Sequence, residues 1–303
     1  MKKLHIENDW LRLTLLPEVG GKISSLHHKH GGRQWLWANP HLPHNLPSYG
    51  ASYTSLMDSG GWDEIFPSVA ASSFAGLAIP DHGDLVGLPW LVDDFGAAHV
   101  TMSTRTRFAD CHFQRELRLD GETLCVTYRL HNRSKVVIPY LWCAHPLIAL
   151  EAGMRIILPS GILIKNRGGI GVDGSDFSWP VMNDGKTLDL IPDPSSEHFQ
   201  PYAIKMFTAA ESVNVVTISS VDGNEELEMQ WNPQQVPHLG LWLNVMGWSG
   251  CGATPYFNLG VEPSTAAHDE LSDAQSECAR CVLPEQAVTW EMTMRITAKA
   301  RAI

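Results

Sequence analysis

The sequence predicts an all-β protein built as a large antiparallel β-sandwich. Three observations carry this. Apolar and polar residues alternate with period 2 in many short runs. Gly- and Asp-containing turn pairs punctuate those runs. Amphipathic helical patterns are scarce.

Taken along the chain, the turn signals begin with Gly20-Gly21 and Gly31-Gly32. Val100, Met102, Thr104 and Thr106 alternate with Thr101, Ser103 and Arg105. After Asp120-Gly121, the residues Leu124, Val126, Tyr128 and Leu130 alternate with Cys125, Thr127 and Arg129, so the two runs read as neighbouring half-buried strands. Asp173-Gly174, Asp184-Gly185 and Asp222-Gly223 mark further turns. Leu227, Met229 and Trp231 follow the same alternation, as do Val288, Trp290, Met292, Met294 and Ile296. The best helical candidate is the short stretch from His268 to Cys281. The Pro- and Asp-rich stretch from Trp179 to Pro201 reads as a long loop, because strands resume directly after it. Residues 1–303 therefore read as one domain, a length within the range of single all-β units.

Composition excludes several functions. A chain of 303 residues buries roughly 75% of its unfolded surface and needs no disulfide or metal to hold it. The net charge of −11, with no basic run, argues against binding nucleic acid or anionic membrane, and weakly against phosphorylated substrates. Tryptophan outnumbers both other aromatic residues, 11 against 9 Phe and 6 Tyr. That surplus suits either packing or a sugar-binding cleft, where flat rings meet pyranose C–H faces. The six cysteines are irregularly spaced. Cys125 and Cys143 read as small buried apolar residues, and Cys278-Ala-Arg-Cys281 is a lone CxxC with no second pair to complete a metal site. The N-terminus turns acidic before an apolar core develops, so no signal peptide is expected. The apolar run from Val136 to Leu150 is broken by Pro139, His145 and Pro146 and is too short to span a bilayer. A soluble cytoplasmic protein is expected; the oligomeric state is left open.

Four segments place polar groups inside apolar sequence. Gly60-Gly61-Trp62-Asp63-Glu64 reads either as a solvated turn or as a cleft wall whose Trp62, Asp63 and Glu64 hold sugar hydroxyls. Pro80-Asp81-His82-Gly83-Asp84 is a turn projecting His82, either a surface histidine or a ligand contact favoured in its charged form. His145 lies in an apolar run before Pro146, so it must find a partner or lose its charge; a satisfied core histidine is the competing reading. The fourth segment is stronger. Alternation sets Phe257, Leu259 and Val261 apart from Tyr256, Asn258, Gly260 and Glu262. The preceding strand repeats this, with Gly240, Trp242, Asn244 and Met246 opposite its leucines. Two matching polar-aromatic faces describe a ligand surface to which Trp242 and Asn244 contribute.

Together these segments resemble the galactose mutarotase-like superfamily, the aldose 1-epimerases. The resemblance runs in order through Leu16-Pro17-Glu18-Val19-Gly20-Gly21-Lys22-Ile23, Asp81-His82-Gly83, His145-Pro146 and Gly260-Val261-Glu262-Pro263. It implies a β-supersandwich with an open sugar cleft, and an isomerase that interconverts α and β anomers without a cofactor or metal. It implies that Glu262 is the general base taking the anomeric proton. His145 would be the general acid for the ring oxygen, and His82 a substrate contact. This chain departs from the family in lacking its early substrate arginine. It also lacks a clear substrate aspartate, for which Glu197-His198-Phe199 is a weak stand-in. A sugar-binding protein without turnover is the alternative reading. A hexose-6-phosphate enzyme would need cleft cations, for which only Lys22, Arg33, Lys165 and Arg167 stand out.

Overall fold

In the computed structural model, which describes residues 1–252, 254–276 and 280–298, two antiparallel sheets dominate. Cys278 of the CxxC pair lies outside the described residues. Among those residues the larger sheet has eleven strands and the smaller eight. The smaller sheet holds the strands whose alternation was clearest. His99–Arg105, Cys111–Asp120, Thr123–Asn132, Ala287–Ala298 and Glu225–Trp231 stand side by side in it. Their one-sided pattern is visible in burial: along Cys111–Asp120 every odd residue is buried. The turns sit where Gly requires them. Gly121 (φ +55°) joins Cys111–Asp120 to Thr123–Asn132 with direct Asp120–Thr123 pairing.

The larger sheet places the site. Its central strands run in the order Lys22–His28, Trp62–Ile65, Cys143–Ala149, Phe257–Ser264, His238–Val245 and Tyr202–Thr208. Here both faces are covered, and the strands Cys143–Ala149 and Phe257–Ser264 are buried almost throughout. One face packs on the smaller sheet in a continuous apolar core. The other forms the floor of a cleft.

A buried ion pair joins the sheets across that core. Glu64, on Trp62–Ile65, accepts from Arg115 Nη1 of Cys111–Asp120 at 2.9 Å, and both side chains are fully enclosed. Tyr128 Oη at 2.9 Å and Trp142 Nε1 at 3.1 Å also donate to Glu64. Arg115 further reaches the Gly21 carbonyl. A buried charge is tolerated only when so surrounded.

The expected helix from His268 to Cys281 is corrected. The helix covers only Leu271–Ser276, and Cys281 stands in the strand Arg280–Val282, paired with Ile138–Tyr140. A tertiary partner strand outweighs local helix preference there. No helix among the described residues is long and apolar enough to cross a membrane.

Removing one partner of the inter-sheet pair should be far more damaging than removing both. Arg115→Met is expected to cost about 3–5 kcal/mol in urea unfolding, because it strands the Glu64 carboxylate. Adding Glu64→Gln should recover most of that loss. A double variant no better than Arg115→Met would refute this account.

Candidate active site

The strand face opposite the core opens into a cleft of about 300 Å³. Sheet register determines which side chains reach it. In antiparallel pairs, directly opposed residues point to the same side. Glu262 is opposed by Gly240, Gly260 by Trp242, and Trp242 in turn by Lys205. His145 is opposed by Asp63 on the adjoining strand. One face therefore gathers Lys205, Trp242, Glu262 and His145 from four neighbouring strands, all lining the cleft.

Glu262 is wholly buried and lies 3.6 Å (Oε1) from His145 Nε2. Its Oε2 accepts from Lys205 Nζ, and Cys143 Sγ lies 3.7 Å away. Lys205 Nζ also stands 3.6 Å from Asp269 Oδ1. Two glycines make the room. A Cβ on Gly260 would lie 2.7 Å from Glu262 Oε1, and one on Gly240 would lie 3.2 Å from Oε2. At Gly260 a side chain would collide with the carboxylate, and at Gly240 it would crowd the carboxylate and collide with the Phe207 ring at 2.9 Å.

Charge states follow from this packing. Burial, then the neighbouring His82 and Lys205 charges, push His145 well below the usual imidazole range. Burial opposes the Lys205 ammonium, but the Glu262 and Asp269 carboxylates outweigh it and raise Lys205 above its ordinary value. Asp58, another lining residue, is pushed up to about 6, chiefly by burial, which the nearby Lys22 and His82 charges and a hydrogen bond from Gly60 N–H offset only in part.

His82 comes from the Pro80–Asp84 turn with φ +61°, a left-handed conformation rare outside glycine. It stacks on Tyr53 (centroids 3.7 Å apart, planes 10°) and meets His145 edge-on at 5.6 Å. Its Nδ1 lies 3.0 Å from Asp81 Oδ1, not near Asp84. Asp84 instead is buried and takes the Arg107 and Phe108 N–H groups, tying this turn to the smaller sheet. An aromatic wall completes the cleft: Trp248 meets Trp242 at 5.8 Å and Tyr256 at 5.4 Å, both edge to face. Unpartnered buried polar atoms concentrate here. Asp58 Oδ1, His145 Nδ1, both amide atoms of Asn258, Glu262 Oε1 and Asp269 Oδ1 belong to lining residues.

Several sequence-based expectations need correction. Trp62 and Glu64 do not hold a ligand. They oppose Pro146 and Ala144 and point into the core between the sheets, fully buried. Asp63 points the other way but is spent beneath the floor. It accepts from Lys22 Nζ at 2.5 Å and Tyr53 Oη at 2.7 Å and is 3% exposed. Asn244 is also enclosed. Its Oδ1 accepts from Gly247 and Trp248 N–H at 3.2 Å each, which builds the turn that hands Trp248 to the cleft. Glu197 and His198 are exposed in a loop and do not line the cleft. Of the four cations named above, none lines it; Arg33 pairs with Glu151 and Arg167 with the Ala267 carbonyl. The lining cation is Lys205, which sequence reading missed along with Tyr53, Asp58, Trp248 and Asp269.

No protein-family model and no curated protein sequence matches the chain. Solved structures do. A protein from Synechocystis sp. PCC 6803 aligns with a TM-score of 0.70 at 16% identity, covering 98% of this chain and 96% of its own. A galactose mutarotase related enzyme from Lactobacillus acidophilus gives 0.67 at 14%, covering 100% and 99%. A candidate aldose 1-epimerase from Escherichia coli K12 gives 0.66 at 13%, covering 98% and 99%. The chain has the galactose mutarotase-like fold.

The Asp58 carboxyl yields a signed prediction. Its folded value, about 6, lies above the ordinary 3.8, so the folded state disfavours its charge. The penalty is absent below pH 4, grows between 4 and 6, and is constant above. Asp58→Asn should therefore stabilise the protein above pH 6, by up to about 3 kcal/mol, with the gain vanishing toward pH 4. Denaturant unfolding at pH 4, 5 and 7 reads this; a gain independent of pH would contradict it.

Proposed function

We propose that the protein is an aldose 1-epimerase-like isomerase that interconverts the α and β anomers of a free sugar. The observation that carries the reading is the His145–Glu262 pair, 3.6 Å apart on adjacent strands at the floor of an aromatic-walled cleft. A carboxylate and an imidazole so placed can act on two oxygens of one anomeric centre. Glu262 Oε1, which carries no hydrogen bond, accepts the proton of the anomeric hydroxyl. His145 delivers a proton to the ring oxygen, and the C1–O5 bond breaks to leave an open-chain aldehyde. Rotation about C1–C2 and reclosure, with the two groups exchanging roles, give the other anomer. His82, fixed on Tyr53 beside His145, contacts the sugar near the reacting centre. The unpartnered atoms of Asp58 and Asn258 suit several hydroxyls, and Trp242 and Trp248 offer faces for a pyranose ring.

Lining charge favours a neutral sugar. Three carboxylates, Asp58, Glu262 and Asp269, face a single lysine that two of them already engage. A sugar phosphate would meet repulsion there. The fold shared with mutarotase-like proteins agrees with the chemistry.

The test is polarimetry on freshly dissolved α-D-glucose, α-D-galactose and other aldoses. Wild type should accelerate relaxation, and Glu262→Gln should lose about 10²–10⁴-fold of that acceleration. An undiminished Glu262→Gln rate would remove Glu262 as the base. Saturable sugar binding with no acceleration would instead favour a binding protein.

The pH dependence has a definite sign. His145 must be protonated to donate, and its pKa is depressed. The rate should therefore decline as pH rises through that depressed value, which puts the optimum on the acid side of pH 6.5. A rate still climbing between pH 6.5 and 8, after subtracting the spontaneous reaction, would exclude His145 as the acid.

A further inference from the structure

We infer that Lys205 is a positioning residue: it keeps Glu262 ionised, occupies Oε2, and so leaves Oε1 as the oxygen that exchanges the proton. This rests on Glu262 being the base. A carboxylate with no solvent exposure stays charged only if the protein surrounds it with cations or donors. The neighbours of Glu262 can be taken element by element. From Tyr202–Thr208 comes Lys205, whose ammonium touches Oε2. From Cys143–Ala149 come Cys143 Sγ, 3.7 Å from the same oxygen, and His145, 3.6 Å from Oε1. Burial holds the Cys143 thiol far above its ordinary value, so it can donate but not supply charge. From His238–Val245 the opposed residue is Gly240, and His238, one pair further along, has its Nδ1 3.2 Å from the Thr208 carbonyl. Within its own strand the nearest neighbour on that face is Gly260. Beyond these, Asp269 stands on Lys205, His82 on His145, and Asp63 is already bound by Lys22. Among the described residues, Lys205 is thus the lysine or arginine in contact with Glu262.

The contact is asymmetric, and that asymmetry matters. Oε2 takes Lys205 and Cys143; Oε1 takes no hydrogen bond and faces His145. A carboxylate held by one oxygen presents the other in a fixed direction. Lys205 also resolves a conflict of charge states. The proposed reaction needs Glu262 ionised and His145 protonated together, yet burial keeps His145 neutral until the pH is acidic. The ammonium held against Oε2 favours the charged carboxylate that the step requires.

The experiment titrates Glu262 directly by carboxyl ¹³C NMR, assigned by its absence in Glu262→Gln, in wild type, Lys205→Met and Lys205→Arg. The Glu262 midpoint should rise by about 1–3 pH units in Lys205→Met and return toward wild type in Lys205→Arg. Equal midpoints in wild type and Lys205→Met overturn the inference. Lys205→Gln gives the same reading if the Met variant does not fold. The acid limb of the polarimetric pH–rate profile should move with the NMR midpoint in each variant; a limb that stays put while the midpoint moves also overturns it. Should wild type turn over no aldose while the NMR midpoints shift as expected, the base reading falls, and the hold of Lys205 on the charge of Glu262 stands apart from it.

Discussion

The architecture turns on one buried ion pair, Glu64–Arg115, which spans the core from the larger sheet to the smaller. Because side chains alternate along a strand, committing Glu64 to the core commits Asp63 to the opposite face. Asp63 opposes His145, so the same commitment fixes which face of the neighbouring strand carries His145. Register then transmits the choice across Phe257–Ser264, His238–Val245 and Tyr202–Thr208, until Glu262, Trp242 and Lys205 share the cleft. A one-residue slip anywhere along this path would bury the site in the core and turn core residues outward.

The cleft is made by what the strands omit as much as by what they carry. At Gly240 and Gly260, on the two strands that form the floor, the missing side chains are the space in which the Glu262 carboxylate stands. Bulk returns at Trp242, between them, and at Trp248, which Asn244 holds by receiving the N–H groups at the start of its turn. Small residues at the Glu262 carboxylate and large aromatic ones beside it give the kind of floor and wall that the proposed sugar ring would need.

Legibility in the sequence followed the environment of each strand. Thr123–Asn132 and Ala287–Ala298 have one polar face, and their alternation shows in the residues themselves. His145 and Glu262 were visible for a different reason: each interrupts an apolar run at a cost that packing alone does not explain. Trp62-Asp63-Glu64 was misread because alternation says that neighbours point to opposite sides but not which side is the core. Only pairing with Cys143–Ala149 decides that. Lys205 carried a usable signal that went unread. Tyr202-Ala-Ile-Lys-Met-Phe-Thr places one ammonium in an otherwise apolar strand, the same anomaly that exposed His145. Asp58 and Trp248 had no such signal, since loops bring them to the cleft from outside the strand pattern.

Two lysine–carboxylate pairs stand at and beneath the floor, and comparing them indicates which can do chemistry. Lys22–Asp63 does not line the cleft: Tyr53 Oη shares Asp63 Oδ2 with the ammonium, and the Gly60 carbonyl takes another of its protons. Both side chains are buried, so this pair braces Tyr53, and through Tyr53 the stacked His82. Lys205–Glu262 is unsaturated. Its ammonium meets two carboxylates, its carboxylate keeps one oxygen free, and that oxygen faces an imidazole across 3.6 Å. The same two functional groups thus give a structural brace where they lie buried outside the cleft lining. Where a carboxylate oxygen without a hydrogen bond lines the cleft beside a histidine, they leave the edge that the proposed base requires. The difference is one of access to the cleft, and it separates Glu262 from Asp63 and Glu64 more sharply than burial, which all three share.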